Sequence, residues 1–343
     1  MSETQSVLTY ALAKVSDGDS LSMSEAEAAV CAVASGDASP VLVTALLTAL
    51  HMKGETAEEF AGFAFGMRSL SITIEPNVPL LVDTCGTGGG TVPTFNVSTA
   101  AAFVVAGAGV AVAKHGNRAM TSRCGRADVL EALGVRVGIS PEQVRRCIEE
   151  VGIGFLFAQA HHPAMKFVGP IRRVLPFRTI FNGLGPLTNP AGARRQVIGV
   201  YEARLAPLLA EALSLLGSED ALVVHGTAGV DEVATFGETL AARVRGSKFE
   251  LMRLTPAAFG LDEATPDQVG PSDTPAGNAE IIRRVLEGER GPRRDLVLAN
   301  ASAALVLAGA ATDFAEGVAV AAESIDSGAA RERLARLIEV SSE

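Results

Sequence analysis

The stretch Asp83-Thr-Cys-Gly-Thr-Gly-Gly-Gly-Thr-Val-Pro-Thr-Phe-Asn-Val-Ser-Thr99 decides how this chain is read. An apolar run, Val78-Pro-Leu-Leu-Val82, precedes it and has the pattern of a strand. Ala100-Ala-Ala-Phe-Val-Val-Ala-Gly-Ala108 follows it and has the pattern of a buried helix. Between them lie Gly86, Gly88, Gly89 and Gly90 among hydroxyl side chains. Glycine lets the backbone approach a ligand closely and reach positive φ. Asn96, Ser98 and Thr99 stand where the helix begins, as cap-competent residues beside free N–H groups. A strand, a Gly-rich loop and a helix N-terminus together make an anion site, most often for phosphate. The loop lacks the Gly-Lys-Ser/Thr of a P-loop, and Thr91 stands where the dinucleotide fingerprint has its third glycine. Taken alone, it fits a phosphate cradle and a tight structural turn equally.

On the N-terminal side of this stretch, residues 1–70 read as helices. Ser22–Ser35 has acidic residues in its first turn and Gly36 as its stop. Pro40–Met52 follows, and Thr56 opens a third helix with capping-box spacing that runs to about Leu70. Phe60, Phe63, Ala64 and Met67 recur at helical spacing and form either a core face or a dimer interface.

On the C-terminal side, short apolar runs alternate with helices. The expected strands are Val110–Ala113, Ile153–Phe157, Gln196–Tyr201, Ala221–His225 and Glu232–Thr235. The expected helices are Asp128–Leu133, Ser140–Val151, Leu205–Leu216, Ala279–Leu286, Asp295–Leu307 and Asp313–Ser327, with a basic helical segment at Met165–Arg178. This alternation predicts an α/β fold with a mostly parallel central sheet flanked by helices, joined to a small N-terminal all-helical domain.

Composition removes several function classes. The chain has 343 residues, is 48% apolar and 20% charged, and carries a net charge of −10. It can bury a core, and its acidity disfavours nucleic acid or an anionic membrane as partner. Cys31, Cys85, Cys124 and Cys147 are scattered, without the pairing of a zinc site or a disulfide framework. Cys85 has no partner base beside it that would make it a nucleophile. The longest apolar run, Ala100–Ala113, is shorter than the ~20 residues that span a bilayer. The expectation is a soluble, cytoplasmic protein with reduced thiols.

Two further constellations carry chemistry. Cations are sparse, yet Lys114, Arg118, Arg123 and Arg126 crowd into Lys114–Arg126 with His115, Asn117, Thr121 and Ser122. This loop leaves one strand beside the place where the Gly-rich loop leaves another, and open α/β sheets bind ligands at that edge. The adjacent carboxylates Asp231 and Glu232 then suggest Mg²⁺, which takes one or two carboxylates together with phosphate oxygens and water.

Together these motifs resemble the anthranilate phosphoribosyltransferases. The matching pieces are Gly86-Thr-Gly-Gly89 with Thr94-Phe-Asn-Val-Ser-Thr99, then Lys114-His-Gly-Asn-Arg118, then Phe155-Leu-Phe-Ala158 with His162-Pro-Ala-Met-Lys166. Phe181-Asn-Gly-Leu-Gly-Pro-Leu-Thr-Asn-Pro190 and Val224-His-Gly226 with Asp231-Glu232 complete the order over nearly the whole chain. The resemblance implies a helical domain over 1–72, completed by a segment near 165–186, an α/β domain over 73–164 and 187–343 that binds PRPP, and a homodimer formed through the helical domains. It also implies a Mg²⁺-dependent reaction of tryptophan biosynthesis, in which the anthranilate amine displaces diphosphate from C1 of phosphoribosyl diphosphate (PRPP).

Carried over residue by residue, the resemblance implies PRPP contacts from Gly86, Gly89, Gly90, Thr94, Asn96, Val97, Ser98 and Thr99. It implies more from Lys114, His115, Gly116, Asn117, Arg118, Ala119, Met120, Thr121, Ser122 and Arg126. Anthranilate would meet Gly86, His115, Asn117 and Arg172, and metal would meet Ser98, Asp231 and Glu232. The catalytic set is Lys114, Arg172, Asp231 and Glu232. Two positions depart from the family pattern: Gly90 replaces its usual aspartate, and Arg126 replaces a smaller residue. The rival readings are a pyrimidine nucleoside phosphorylase-like enzyme, which would need no Asp-Glu pair, and a non-catalytic nucleic-acid-binding relative.

Overall fold

The computed structural model describes residues 2–118 and 124–343. Four helices come first: α1 (Glu3–Ser16), α2 (Met23–Ala34), α3 (Pro40–Lys53) and α4 (Ala57–Ser69). Their starts are chemically set. Ser22 with Glu25 and Thr56 with Glu59 form reciprocal capping boxes, and Pro40 takes the first position of α3. Phe60, Phe63, Ala64 and Met67 are all buried within this chain, so that face is core and not an interface.

The larger domain begins with β1 (Val82–Asp83), α5 (Val97–Gly107), β2 (Val112–Gly116), α6 (Arg126–Leu133), α7 (Pro141–Val151) and β3 (Ile153–Phe157). The chain then passes through α8 (Ala158–His161), α9 (Met165–Val174) and α10 (Phe181–Leu184). It returns as β4 (Arg195–Gly199), α11 (Leu205–Leu215), β5 (Asp220–Gly226), β6 (Thr239–Arg245) and β7 (Lys248–Leu254). Four helices close it: α12 (Pro275–Leu286), α13 (Pro292–Ala308), α14 (Phe314–Asp326) and α15 (Ala329–Ser342).

The seven strands lie in the order β3-β2-β1-β4-β5-β6-β7. The first five in this order pair in parallel, and β6 and β7 add an antiparallel edge hairpin. The chain lays β1 to β3 outward in one direction, then restarts at β4 on the other side of β1. That reversal is a topological switch point, where a crevice opens beyond the strands' C-terminal ends. One core packs α5, α13, α14 and α15 on one face of the sheet. A second core joins the first four helices, α9 and α10 to the other face through α11.

Several expected elements shift. Only Val82 of the expected strand Val78–Val82 pairs, because Pro79 has no N–H to donate and the Val78 N–H turns back to Pro76 O. The strand expected at Val110–Ala113 runs instead from Val112 to Gly116, so Lys114, His115 and Gly116 sit in β2 and not in a loop. Glu232–Thr235 is not a strand. The Val233 N–H donates to Asn300 Oδ1 and the Ala234 N–H to Thr239 Oγ1, so side chains replace a ladder. The β6–β7 hairpin is additional to the expected elements, although Gly246-Ser247 between two runs is a turn signal.

Candidate active site

Beyond the switch point lies a cleft of about 350 Å³ between the sheet edge and the segment carrying α9 and α10. The Gly-rich loop forms its floor. Thr87 N donates to Gly199 O at 2.7 Å and Val92 N to Gly229 O at 3.1 Å, which ties the loop to the ends of β4 and β5. Gly88 and Gly89 have φ of 71° and 84°, as the sequence reading requires. Asn96, at φ 46°, occupies the left-handed region and makes no side-chain cap, so α5 starts on a bare backbone turn. Its amide instead donates to Cys124 O at 3.4 Å.

Most of the expected site residues line this cleft. Gly86, Gly89, Gly90, Thr94, Asn96, Ser98, His115, Gly116, Asn117, Arg118, Arg126, Arg172, Asp231 and Glu232 all do. Val97, Thr99 and Lys114 do not. Val97 and Thr99 are fully buried side chains of α5. Lys114 stands behind the wall, 1% exposed, with Nζ 3.2 Å from Thr84 O, Thr84 Oγ1 and Ser98 Oγ. Its charge reaches the cleft through Ser98. Arg118 is already engaged, with ion pairs to Asp128 and Glu131 and the Phe157 ring beneath it. Ala119, Met120, Thr121 and Ser122 lie outside the described residues. Position 90 has no room for a side chain, since a Cβ there would stand 2.8 Å from Gly229 O and 3.0 Å from Asp231 Oδ1.

Burial tunes the charges. It lowers Lys114 to about 8, with Arg126 adding to the effect. It raises Asp83 to about 6 despite donors from His115 N and Asn189 Nδ2. It raises Glu232 to about 8, helped by the adjacent Asp231. It drives Cys85 up to about 12, which leaves an inert thiol in the loop. His115 is pushed well down by burial and by His162, whose ring centre lies 5.2 Å away. His115 Nδ1 meets Gly185 O at 2.9 Å, and Nε2 is buried without a partner among the described residues.

The donors around Asp231 fit Mg²⁺. They are hard oxygens: two carboxylates, with the Ser98 hydroxyl lining the same recess. Thr94 Oγ1 orients Glu232 by donating to Oε2 at 2.9 Å. A buried carboxylate whose charge is disfavoured by its neighbour is a group that a cation relieves. No group of three His, Cys, Asp or Glu among the described residues makes a metal cage.

This geometry has relatives. The glycosyl transferase family a/b domain matches residues 78–331, and the family's helical bundle domain matches residues 9–71. The chain is 53% identical to the anthranilate phosphoribosyltransferase of Rubrobacter xylanophilus over 336 residues, covering 98% of each chain. It is 54% identical to that of Anaeromyxobacter dehalogenans (strain 2CP-C) over 332 residues, covering 97% of this chain and 98% of the relative. The chain belongs to the anthranilate phosphoribosyltransferase family. Among solved members, the Thermus thermophilus enzyme superposes with a TM-score of 0.91 at 42% identity, covering 97% of this chain and 99% of that one. The Saccharomyces cerevisiae enzyme, solved in complex with PRPP and Mg, superposes with a TM-score of 0.88 at 30% identity, covering 98% of both.

Against this family background, the cleft also contains residues that sequence reasoning passes over. Arg178 and Tyr201 line it. Arg178 closes the basic segment Met165–Arg178, and nothing in the composition of that segment singles it out. Asp83 opens the Gly-rich stretch, but nothing in its sequence neighbours signals a fully buried carboxylate.

Proposed function

We propose that this protein transfers the 5-phosphoribosyl group of PRPP to the amine of anthranilate, releasing diphosphate. One observation carries the reading, together with family membership. A single cleft holds a Gly-rich loop and a carboxylate pair on one wall and, on another, the half-buried Arg172 guanidinium. Arg172 has no ion pair among the described residues, and burial lowers its pKa. Its neighbour is the Phe181 ring, 5.9 Å away. A desolvated cation without a counter-ion is suited to a carboxylate, which arginine grips in a planar fork.

The roles follow. The Gly-rich loop and the start of α5 present N–H groups to the phosphates of PRPP. Asp231, Glu232 and Ser98 would hold Mg²⁺, which supplies fixed positive charge where the leaving diphosphate becomes more negative. Lys114, one layer back, adds to that field and fixes Ser98 and Thr84. The aromatic amine is neutral at pH 7, so attack on C1 needs orientation more than a strong base. Arg172 supplies orientation at the carboxylate. The His115 Nδ1–H donates to Gly185 O, so Nε2 keeps its lone pair and can accept a hydrogen bond from the amine. The Asp231-Glu232 pair disfavours a nucleoside phosphorylase, and the −10 net charge disfavours a nucleic-acid binder.

The test separates the readings. Diphosphate release should require anthranilate, PRPP and Mg²⁺ together and stop with chelator. Phosphorolysis of a pyrimidine nucleoside without anthranilate would reverse the assignment. The four cysteines are free and no described helix is long and apolar enough to cross a membrane, which suits a cytoplasmic enzyme.

The homodimer reading rests on exposed apolar side chains. Val41 and Met52 lie three turns apart on α3, and Phe167 and Val174 two turns apart on the adjoining α9. Sedimentation should give twice the 35.3 kDa chain mass, and a monomer would end that reading.

A further inference from the structure

Arg178 lines the cleft, yet none of the roles above requires it. It lies between α9 and α10, on the segment packed with the helical domain, and its side chain crosses to the α/β domain. Its guanidinium carbon stands 3.7 Å from the centre of the Tyr201 ring, just past the end of β4. Its Nη2 donates to Gly89 O at 2.7 Å. The partners it uses are therefore an aromatic face and a peptide carbonyl. Gly89, at φ 84°, lies close under this contact, with its Cα hydrogens facing the guanidinium where a Cβ would come within 2.9 Å of Nη2.

The consequence falls on the N–H groups of the loop. The peptide bond between Gly89 and Gly90 is trans, so the Gly89 carbonyl and the Gly90 N–H point in opposite directions within its plane. Between the anchors at Thr87 and Val92, the N–H groups of Gly88, Gly89, Gly90 and Thr91 have no backbone partner among the described residues. A run of three glycines leaves such a peptide free to rotate. A donor that must meet an anion works best when its direction is fixed beforehand.

We infer that Arg178 is a positioning residue. By holding Gly89 O across the cleft, it fixes the Gly89–Gly90 peptide plane, and with it the course of the Gly-rich loop whose N–H groups meet the PRPP phosphates. Tyr201 in turn restrains the guanidinium by stacking, which lysine reproduces poorly. The ligand's identity rests on the function proposed above.

The experiment is calorimetric titration of PRPP, and separately of inorganic diphosphate, into the full-length wild type and Arg178→Ala and Arg178→Lys variants with Mg²⁺ present. Steady-state kinetics and thermal melting accompany it. Arg178→Ala should bind both ligands at least about tenfold more weakly, the worth of one charge-assisted hydrogen bond. The KM for anthranilate and the melting temperature should stay close to wild type, because the residue is exposed. Arg178→Lys should recover part of the affinity. Unchanged affinity in Arg178→Ala overturns the inference, and so does an equal loss toward anthranilate, which would indicate general damage to the cleft. Tight diphosphate binding that depends on Arg178, in an enzyme that does not consume anthranilate, overturns the functional reading and leaves the positioning role standing.

Discussion

Arg172 is the residue on which the proposed anthranilate contact rests. An arginine at the end of α9 would ordinarily sit in solvent or pair with a carboxylate. Here it is half-buried beside an aromatic ring, so its desolvation is left uncompensated in the free protein. Arg172→Ala should cost about 2–5 kcal/mol of transition-state binding if the carboxylate pair is desolvated. The loss should appear in the KM for anthranilate, with PRPP affinity nearly unchanged. Steady-state kinetics against both substrates decide it, and equal damage to both would remove the assignment. That most of these residues gather at one cleft was legible in the sequence, because a Gly-rich loop and a cation-rich segment both leave neighbouring strands at one sheet edge. The layering was not. Nothing in Lys114-His-Gly-Asn-Arg118 says that Lys114 faces inward to Ser98, or that Arg118 is spent on Asp128 and Glu131. Those outcomes follow from β2 extending beyond its apolar run. Gly90 was legible as a departure, but its cause, the approach of the Gly229 carbonyl, is a contact between segments distant in sequence.

At the scale of elements, β2 and the α8–α9 junction bring three histidines together. His115, His161 and His162 are buried, and burial lowers the pKa of each, His162 to about 4. An unfolded histidine takes up its proton near 6.5, while folded His162 resists until about 4. Between those values the unfolded chain binds more protons, so stability falls as pH falls. For His162 alone the loss approaches about 3 kcal/mol across the window. Asp83, between about 6 and 3.8, and Glu232, also raised, act in the opposite sense, because the folded state holds their protons more tightly, and they offset the loss. The urea midpoint of the wild type should therefore fall relative to that of His162→Gln on going from neutral to mildly acidic pH. Parallel curves for the two proteins would contradict this. Element boundaries were legible where caps were explicit, as at Ser22, Thr56 and Ser140. They were missed where side chains stood in for ladder partners, as at Val233, or where a hairpin turn was short, as at Gly246-Ser247.

At the scale of the whole molecule, an acidic protein gathers cations where an anionic substrate would lie. Arg126, Arg172 and Arg178 line one cleft, with Lys114 behind it. The cleft lies at the switch point between β1 and β4, so the fold creates the crevice and the sequence supplies the charge. The helical domain shares a core with α11 and one sheet face, which holds the α9–α10 segment against the Gly-rich loop. The central claim is that this arrangement joins PRPP to anthranilate. The most direct measurement is the decay of anthranilate fluorescence on mixing the protein with anthranilate, PRPP and Mg²⁺. The account predicts a decay that needs all three components, releases one diphosphate per anthranilate consumed and is restored by Mg²⁺ after chelation. Fluorescence that stays constant with folded protein at saturating PRPP would contradict it.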